Sequence, residues 1–242
     1  MHPLSDDPIR VFVVDDHPPI REAIVDAVDR ASDVEMCGST GSSDEAFHQI
    51  ESLEPDVAIV DLLLSDAHGL DLVENVRSQY PEVQVVVFSM YDEDIYAERA
   101  IRAGASSYLM KSESMDMLVE AIRTVKDGEV FLSDRMESKL LQKVVFDNSA
   151  ESKVTVDELS DREMQVFQML GQGQTVDEIQ DQLCLSRKTV ETYRRRSKEK
   201  LGLDSVSDLL RYAVHWTHGP GVHGNDERSV DAMEEPAVPS GA

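Results

Sequence analysis

Five short apolar runs punctuate the first 127 residues: IRVFVV (9–14), VEMCGS (34–39), DVAIVD (56–61), VQVVVFS (83–89) and SSYLMK (106–111). Between them lie segments such as PIREAIVDAVDRA and EDIYAERAIRAGA, whose apolar residues recur at helical spacing. Most of the runs are continuous rather than alternating, which suits parallel strands buried on both faces by helices. Repeated βα units of this kind predict an α/β fold, a doubly wound five-stranded parallel sheet, over residues 1–127.

The pattern changes after that. Residues 128–158 read as a linker with a possible helix in GEVFLSDRMESKLLQKVVF, followed by the polar, turn-rich DNSAESKVTVDE. Residues 159–217 hold four short helical segments, LSDREMQVFQMLGQGQ, TVDEIQDQLCLS, RKTVETYRRRSKEKLGL and SVSDLLRYAVHW, and predict a small all-α domain. Each begins near Ser, Thr or Asp, and Gly171, Gly173 and Gly202 punctuate the ends. Residues 218–242 lack periodicity, are rich in Gly, Pro and acid, and predict disorder.

Charge separates these regions. The whole chain carries a formal −25, which taken alone argues against nucleic-acid binding. Residues 1–150 hold 12 Lys and Arg against 31 Asp and Glu, whereas residues 151–217 are nearly balanced at 10 against 12. Within the second region SRKTVETYRRRSKEK concentrates seven cations against two glutamates, one basic helix in an acidic molecule. No apolar run approaches the ~18 residues that cross a bilayer, and MHPLSDDP lacks the basic start and apolar core of a signal peptide, so the expected location is cytoplasmic, with no membrane partner. The two cysteines, Cys37 and Cys184, have neither disulfide-framework nor zinc-site spacing.

In a doubly wound sheet, ligands bind beyond the carboxyl ends of the strands. The polar residues fall there: Asp15 and Asp16 after the first run, Asp61 at the end of the third, Ser89 at the end of the fourth and Lys111 at the end of the fifth. Three carboxylates brought together repel unless a cation joins them, and Mg2+ suits such a site. With a lysine for counter-charge and a serine hydroxyl, the set makes a cradle for a phosphoryl group around one carboxylate.

The motifs DDH, IVDLLL and FSMYDEDIYAERAIRAGASSYLMK, followed by LSDREMQVFQMLGQG and LSRKTVETYRRRSKEKLGL, resemble those of two-component response regulators of the NarL/FixJ type, a CheY-like receiver followed by a LuxR-type helix-turn-helix. The resemblance covers roughly residues 9–216. It implies that Asp61 is the phosphoacceptor and that Asp15, Asp16, Asp61 and the Leu63 carbonyl hold Mg2+. Ser89 and Lys111 would then contact the phosphoryl group, and Tyr108 would be the aromatic switch. It implies as partners a sensor histidine kinase, double-stranded DNA and, when phosphorylated, a second copy of the chain. His17 reads as a turn residue rather than a ligand. The usual Met-Pro pair after the phosphoacceptor is replaced by Leu64-Ser65, while Gly69 is retained.

In the second domain the resemblance makes residues 175–183 the first helix of the helix-turn-helix and residues 187–201 the recognition helix. Val190, Tyr193, Ser197 and Leu201 should face the core with Val166, Leu170, Ile179 and Leu183. Lys188, Glu191, Thr192, Arg195 and Lys198 should face the major groove, and Arg187, Arg194 and Arg196 the phosphates. Asp177 and Glu178 stand where relatives commonly carry Lys or Arg, which predicts modest, salt-sensitive affinity. The final helix, with Val206, Leu209, Leu210, Ala213 and Val214, resembles a dimerising helix. The charge contrast further predicts that the acidic receiver masks the basic helix until phosphorylated. A rival reading is a receiver acting by protein contact or as a phosphate sink, with weakened DNA binding; a small phosphohydrolase using the same aspartates is a third.

Overall fold

A computed structural model describes residues 7–64, 67–133, 135–138 and 156–218. The chain runs β1 (Ile9–Val14), α1 (Pro18–Asp29), β2 (Val34–Thr40), α2 (Ser43–Leu53), β3 (Val57–Val60), α3 (Gly69–Gln79), β4 (Gln84–Ser89), α4 (Glu93–Ala103), β5 (Ser107–Met110) and α5 (Met115–Lys126). All strand pairs are parallel, in the order β2-β1-β3-β4-β5. The order reverses at β1, so the crevice beyond the carboxyl ends of β1 and β3 is where this topology accepts a ligand.

The continuous apolar runs serve two layers. Val11 and Val13 of β1 pack with Ile24 and Val28 of α1 and Leu118, Ile122 and Val125 of α5. Phe12 and Val14 point the other way, into a layer with Ile50 of α2, Val73 of α3 and Ala97 of α4. Side chains that alternate in direction, and are apolar on both faces, give β1 its four wholly buried residues Val11–Val14.

A 3-10 turn (Val156–Glu158) leads into the second domain, α6 (Asp161–Gly171), α7 (Val176–Gln182), α8 (Arg187–Lys200) and α9 (Val206–His218). The Ser and Thr starts act as caps. Ser160 with Glu163 and Thr175 with Glu178 each form a reciprocal capping box, and the Ser186 hydroxyl accepts from the Thr189 amide. Glu178 therefore has a local role the sequence reading missed: it closes the α7 N-terminus. Gly173 and Gly202 take positive φ after helix ends, and Gly171 is the last residue of α6, where a Cβ would come within 2.5 Å of the Ala213 carbonyl of α9. Its reason is close helix packing rather than a turn.

Val190, Ser197, Leu201, Val166, Leu170, Ile179 and Leu183 are buried as expected, and Tyr193 is half-buried. The stripe on α9 divides: Leu209 and Ala213 are buried in the core, whereas Val206, Leu210 and Val214, on the adjoining flank of the helix, are exposed. Of the expected linker helix, residues 135–138 are helical, residues 128–133 are not, Phe131 instead forming a parallel bridge with Ser107, and residues 134 and 139–155 lie outside the described residues. So does the tail from residue 219; His218, assigned to that tail, belongs instead to α9.

Candidate functional site

Hydrogen bonds of the sheet continue one residue past the strands and fix the site's backbone. Asp15 donates its amide to Thr40 (3.1 Å), Asp61 to Val14 (2.9 Å) and Lys111 to Ser89 (2.7 Å). These bonds carry three side chains from three strand ends into one buried cluster. Lys111 Nζ lies 2.6 Å from Asp15 Oδ2 and 2.7 Å from Asp61 Oδ2, all three side chains being at most 3% exposed. Gly69 at the start of α3 lets this arrangement close, since a Cβ there would fall on the Asp61 carbonyl oxygen.

One lysine does not balance the set. Asp16 is the third carboxylate, and ligand atoms of Asp15, Asp16, His17 and Asp61 all lie within 4.8 Å of one another. His17 is the N-cap of α1, makes no capping bond with its side chain, and turns Nδ1 to within 2.7 Å of Asp16 Oδ1. Burial pushes the Asp61 carboxyl above its ordinary range; Lys111 opposes this and Asp15 adds to it. Asp61 Oδ1 is buried and accepts no hydrogen bond. A net negative, desolvated cluster of hard oxygen donors with one free oxygen is chemistry that fits a small divalent cation and a phosphoryl group.

Ser89 and Tyr108 are buried beside it and converge on one residue, Tyr91. The Tyr91 amide donates to Ser89 Oγ (3.3 Å), and the Tyr108 hydroxyl donates to the Tyr91 carbonyl (2.9 Å). Burial raises the Tyr108 hydroxyl well above its usual pKa. Leu63 forms an isolated antiparallel bridge with His68, while Ser65 of the altered Leu64-Ser65 turn, and Asp66, lie outside the described residues.

The second domain docks against the receiver through α4 and the loop before it. Arg99 donates to the Leu159 carbonyl (2.8 Å), Asp161 (2.9 Å) and the Val156 carbonyl (3.2 Å). The Tyr96 hydroxyl donates to Gln168 Oε1 (2.7 Å), and Gln165 Nε2 donates to the Tyr91 hydroxyl (2.8 Å). The Tyr91 and Tyr96 rings stack at 4.7 Å. His68 is buried next to this interface, its Nε2 without a partner and its pKa lowered to about 4 by burial, with Arg162 acting in the same direction. None of these interface residues was singled out from sequence; the available signal was Gln165 and Gln168 standing inside the otherwise apolar stretch MQVFQML.

This docking corrects the masking expectation. The receiver's described hydrogen bonds to the second domain run to α6 and the segment before it, while Arg187, Lys188, Arg195 and Arg196 of α8 are exposed. Charge contrast alone did not decide the contact, because the polar groups of α4 and α6 match in detail. On α8, Arg187 pairs with Asp177, Arg194 with Glu191 (2.5 Å), and Arg195 with Glu199 (2.7 Å). Thr192 donates to the Lys188 carbonyl (2.8 Å) and Lys198 Nζ to the Asp204 carbonyl (3.2 Å). Among the described residues Lys188 and Arg196 have no carboxylate partner, and they line a shallow open groove with Thr189, Thr192 and Tyr193.

A parallel sheet with an acidic cluster and a lysine at its carboxyl edge, joined to a capped helix-turn-helix with a cationic second helix, defines a receiver coupled to a DNA-binding module. The chain matches the response regulator receiver domain family over residues 11–123 and the LuxR family of bacterial regulatory proteins over residues 157–213. It is 35% identical over 211 residues to the response regulator GacA of Pseudomonas protegens, covering 87% of this chain and 97% of that one. The DNA-binding transcriptional activator DevR/DosR of Mycobacterium tuberculosis is 32% identical, with 85% of this chain and 94% of that one covered. The fold is also that of the Salmonella typhimurium response regulator RcsB, at TM-score 0.61 and 21% identity over 86% of this chain and 98% of that one. The chain belongs to the two-component response regulators with a LuxR-type DNA-binding domain. No described helix is long and apolar enough to cross a membrane.

Proposed function

We propose that Asp61 accepts a phosphoryl group from the phosphohistidine of a sensor kinase, and that this modification controls binding of the 159–217 domain to double-stranded DNA in the cytoplasm. The observation that carries the reading is the Asp61 carboxylate itself: one oxygen is held 2.7 Å from Lys111 Nζ, and the other is buried and free. In the transfer, the free oxygen forms the new P–O bond as the P–N bond of the phosphohistidine breaks, and its electron pair returns to the imidazole nitrogen. Lys111 supplies counter-charge to the phosphoryl oxygens, and the Ser89 hydroxyl donates to one of them. Asp15, Asp16, Asp61 and the Leu63 carbonyl are the residues that would hold Mg2+. The ion supplies charge neutralisation at the phosphoryl oxygens when bound.

On the DNA side, Lys188, Glu191, Thr192, Arg195 and Lys198 would face the major groove, with Arg187, Arg194 and Arg196 toward phosphates. The exposed Val206, Leu210 and Val214 of α9 fit the pairing of two phosphorylated copies. The test is intact mass after incubation with acetyl phosphate and Mg2+, followed by selection of bound DNA from a random pool. One adduct in the wild type and none in Asp61→Asn is expected, with a selected sequence for the phosphorylated chain; no adduct in the wild type overturns the reading. One observation favours a second reading, a receiver that works by protein contact or as a phosphate sink: Asp177 already engages Arg187. That reading gains if the adduct forms and no DNA sequence is selected.

A further inference from the structure

Of the seven cations on α8, four are already matched by a carboxylate of this chain. Arg187 pairs with Asp177 in the first turn of α7, Arg194 with Glu191 (2.5 Å), Arg195 with Glu199 (2.7 Å) and Lys200 with Glu163 of α6 (2.7 Å). Lys198 Nζ rests on the Asp204 carbonyl, and among the described residues only Lys188 and Arg196 of this set meet no protein acceptor. The pairs that face outward are wet: the side chains of Arg187 and Asp177 are 60% and 68% exposed, and those of Arg195 and Glu199 59% and 53%. Ion pairs this exposed hold weakly, so they leave the arginines available to a stronger anion. What they change is the number of ions that must move when that anion arrives.

We propose that these carboxylates set the ionic conditions under which the chain binds DNA: binding exchanges few ions and persists at salt concentrations that strip an interface of free cations. The proposal rests on the DNA-binding reading above. A free Lys or Arg that reaches a phosphate releases about 0.9 condensed cation from duplex DNA, and this release makes affinity fall steeply with salt. An arginine taken from Asp177 or Glu199 leaves a bare carboxylate beside a polyanion, and that carboxylate retains a cation from solution. Release and uptake then cancel, so only Lys188, Arg196 and Lys198 contribute to the slope. With seven free cations per copy, the slope of log affinity against log salt would be about −6; with three it is about −3. The receiver acts in the same direction. The 12 Lys and Arg against 31 Asp and Glu of residues 1–150 repel DNA at long range, and added salt screens that repulsion. The steep salt dependence expected of a cationic helix thus gives way to an affinity that is modest at low salt and declines slowly.

The experiment uses the full chain, phosphorylated and then freed of Mg2+ by gel filtration, on the duplex that it selects. Affinity is read by fluorescence anisotropy from about 0.05 to about 0.5 M KCl, a range over which a slope change of one is tenfold. Wild type is compared with Asp177→Asn, Glu199→Gln and Glu51→Gln, the last making the same charge change on the exposed surface of α2 in the receiver. Asp177→Asn leaves the Thr175–Glu178 capping box of α7 intact, and two variants on different helices cover the case in which one misfolds. Expected is a wild-type slope of about −3 or shallower per bound copy. Asp177→Asn and Glu199→Gln should each steepen it by about one, binding about tenfold tighter at the lowest salt and converging on wild type at the highest. Glu51→Gln should keep the wild-type slope. A wild-type slope near −6, or slopes that the two pair-breaking variants leave unchanged, overturns the inference while leaving DNA binding intact. Equal steepening in Glu51→Gln overturns it as well, by tracing the effect to net charge rather than to the pairs on α8. A chain that selects no duplex overturns the DNA-binding reading and this inference with it.

Discussion

The acidic cluster around Asp61 and the interface between α4 and α6 are both polar and both largely buried, yet they are built on opposite terms. In the cluster, Asp15 and Asp61 share one ammonium, Asp16 lies against His17, and Asp61 Oδ1 has no hydrogen-bond partner. At the interface Arg99 makes three bonds to the second domain, Gln165 uses both ends of its amide, and the Tyr96 hydroxyl meets Gln168. An unbalanced buried site is costly by itself and becomes favourable when charge arrives, which is what a reactive carboxylate requires. A balanced polar interface gains little from closing and loses little on opening. His68 Nε2 is the exception on the interface side, buried and unsatisfied.

Four measurements would break or sharpen this contrast. The largest effect belongs to Asp61→Asn, which should abolish the adduct and, in metal-free buffer, raise the melting temperature by about 3 °C, on the order of 1 kcal/mol for a chain of this size. The sign follows from the raised pKa. A carboxyl that binds protons more readily when folded contributes stability present at low pH and lost as pH rises through its folded value, so at neutral pH the charged form is a burden. A lower melting temperature for the variant would show that the cluster is balanced after all.

His68 comes next, with the opposite sign. With a folded pKa of about 4, the neutral ring is favoured in the fold, and the unfolded chain binds more protons between about pH 6.5 and 4. Stability should therefore fall on acidification through that window, by up to about 3 kcal/mol at 1.36 kcal/mol per unit. Urea unfolding of the wild type and His68→Leu from pH 7 to 4.5 tests this; an equally steep decline in both would remove His68 as the cause.

Arg99→Ala should cost docking about 2 kcal/mol, since it strips Asp161 and two carbonyls of their partner. Scattering should report an expanded unphosphorylated chain with undiminished phosphoryl incorporation. An unchanged radius would place the strength of the interface elsewhere. The smallest effect isolates backbone from side-chain chemistry: Cys184, in the turn before α8, sits at φ 50°, a conformation that favours glycine. Cys184→Gly should stabilise the domain by about 1 kcal/mol in urea unfolding, without altering phosphorylation.

Much of the receiver was legible because its signals are local. A strand buried on both faces needs a continuous apolar run, and the residue that follows it emerges at the carboxyl edge; Asp15, Asp61 and Lys111 could therefore be grouped before any coordinates. Helix starts were legible for the same reason, since Ser160, Thr175 and Ser186 cap amides only three residues on. The capping role of Glu178 was missed because one acidic residue near a helix start can serve a cap or repel a phosphate, and composition does not separate the two. Gly171 ends α6 as expected, but its close approach to Ala213 was not legible because that neighbour is 42 residues away.

What the sequence by itself determined is the set of βα units, the bounds of α7 and α8 within one residue, and the convergence of charged residues at one edge of the sheet. Periodicity and capping act over a few residues, so they are written in the chain's local order. Only the tertiary structure decided that the receiver grips α6 and leaves α8 exposed. That choice rests on pairs such as Tyr91 with Gln165 and Tyr96 with Gln168, separated by 74 and 72 residues. No local pattern encodes such a match, because it exists only when two independently folded surfaces present donors and acceptors at hydrogen-bond distance.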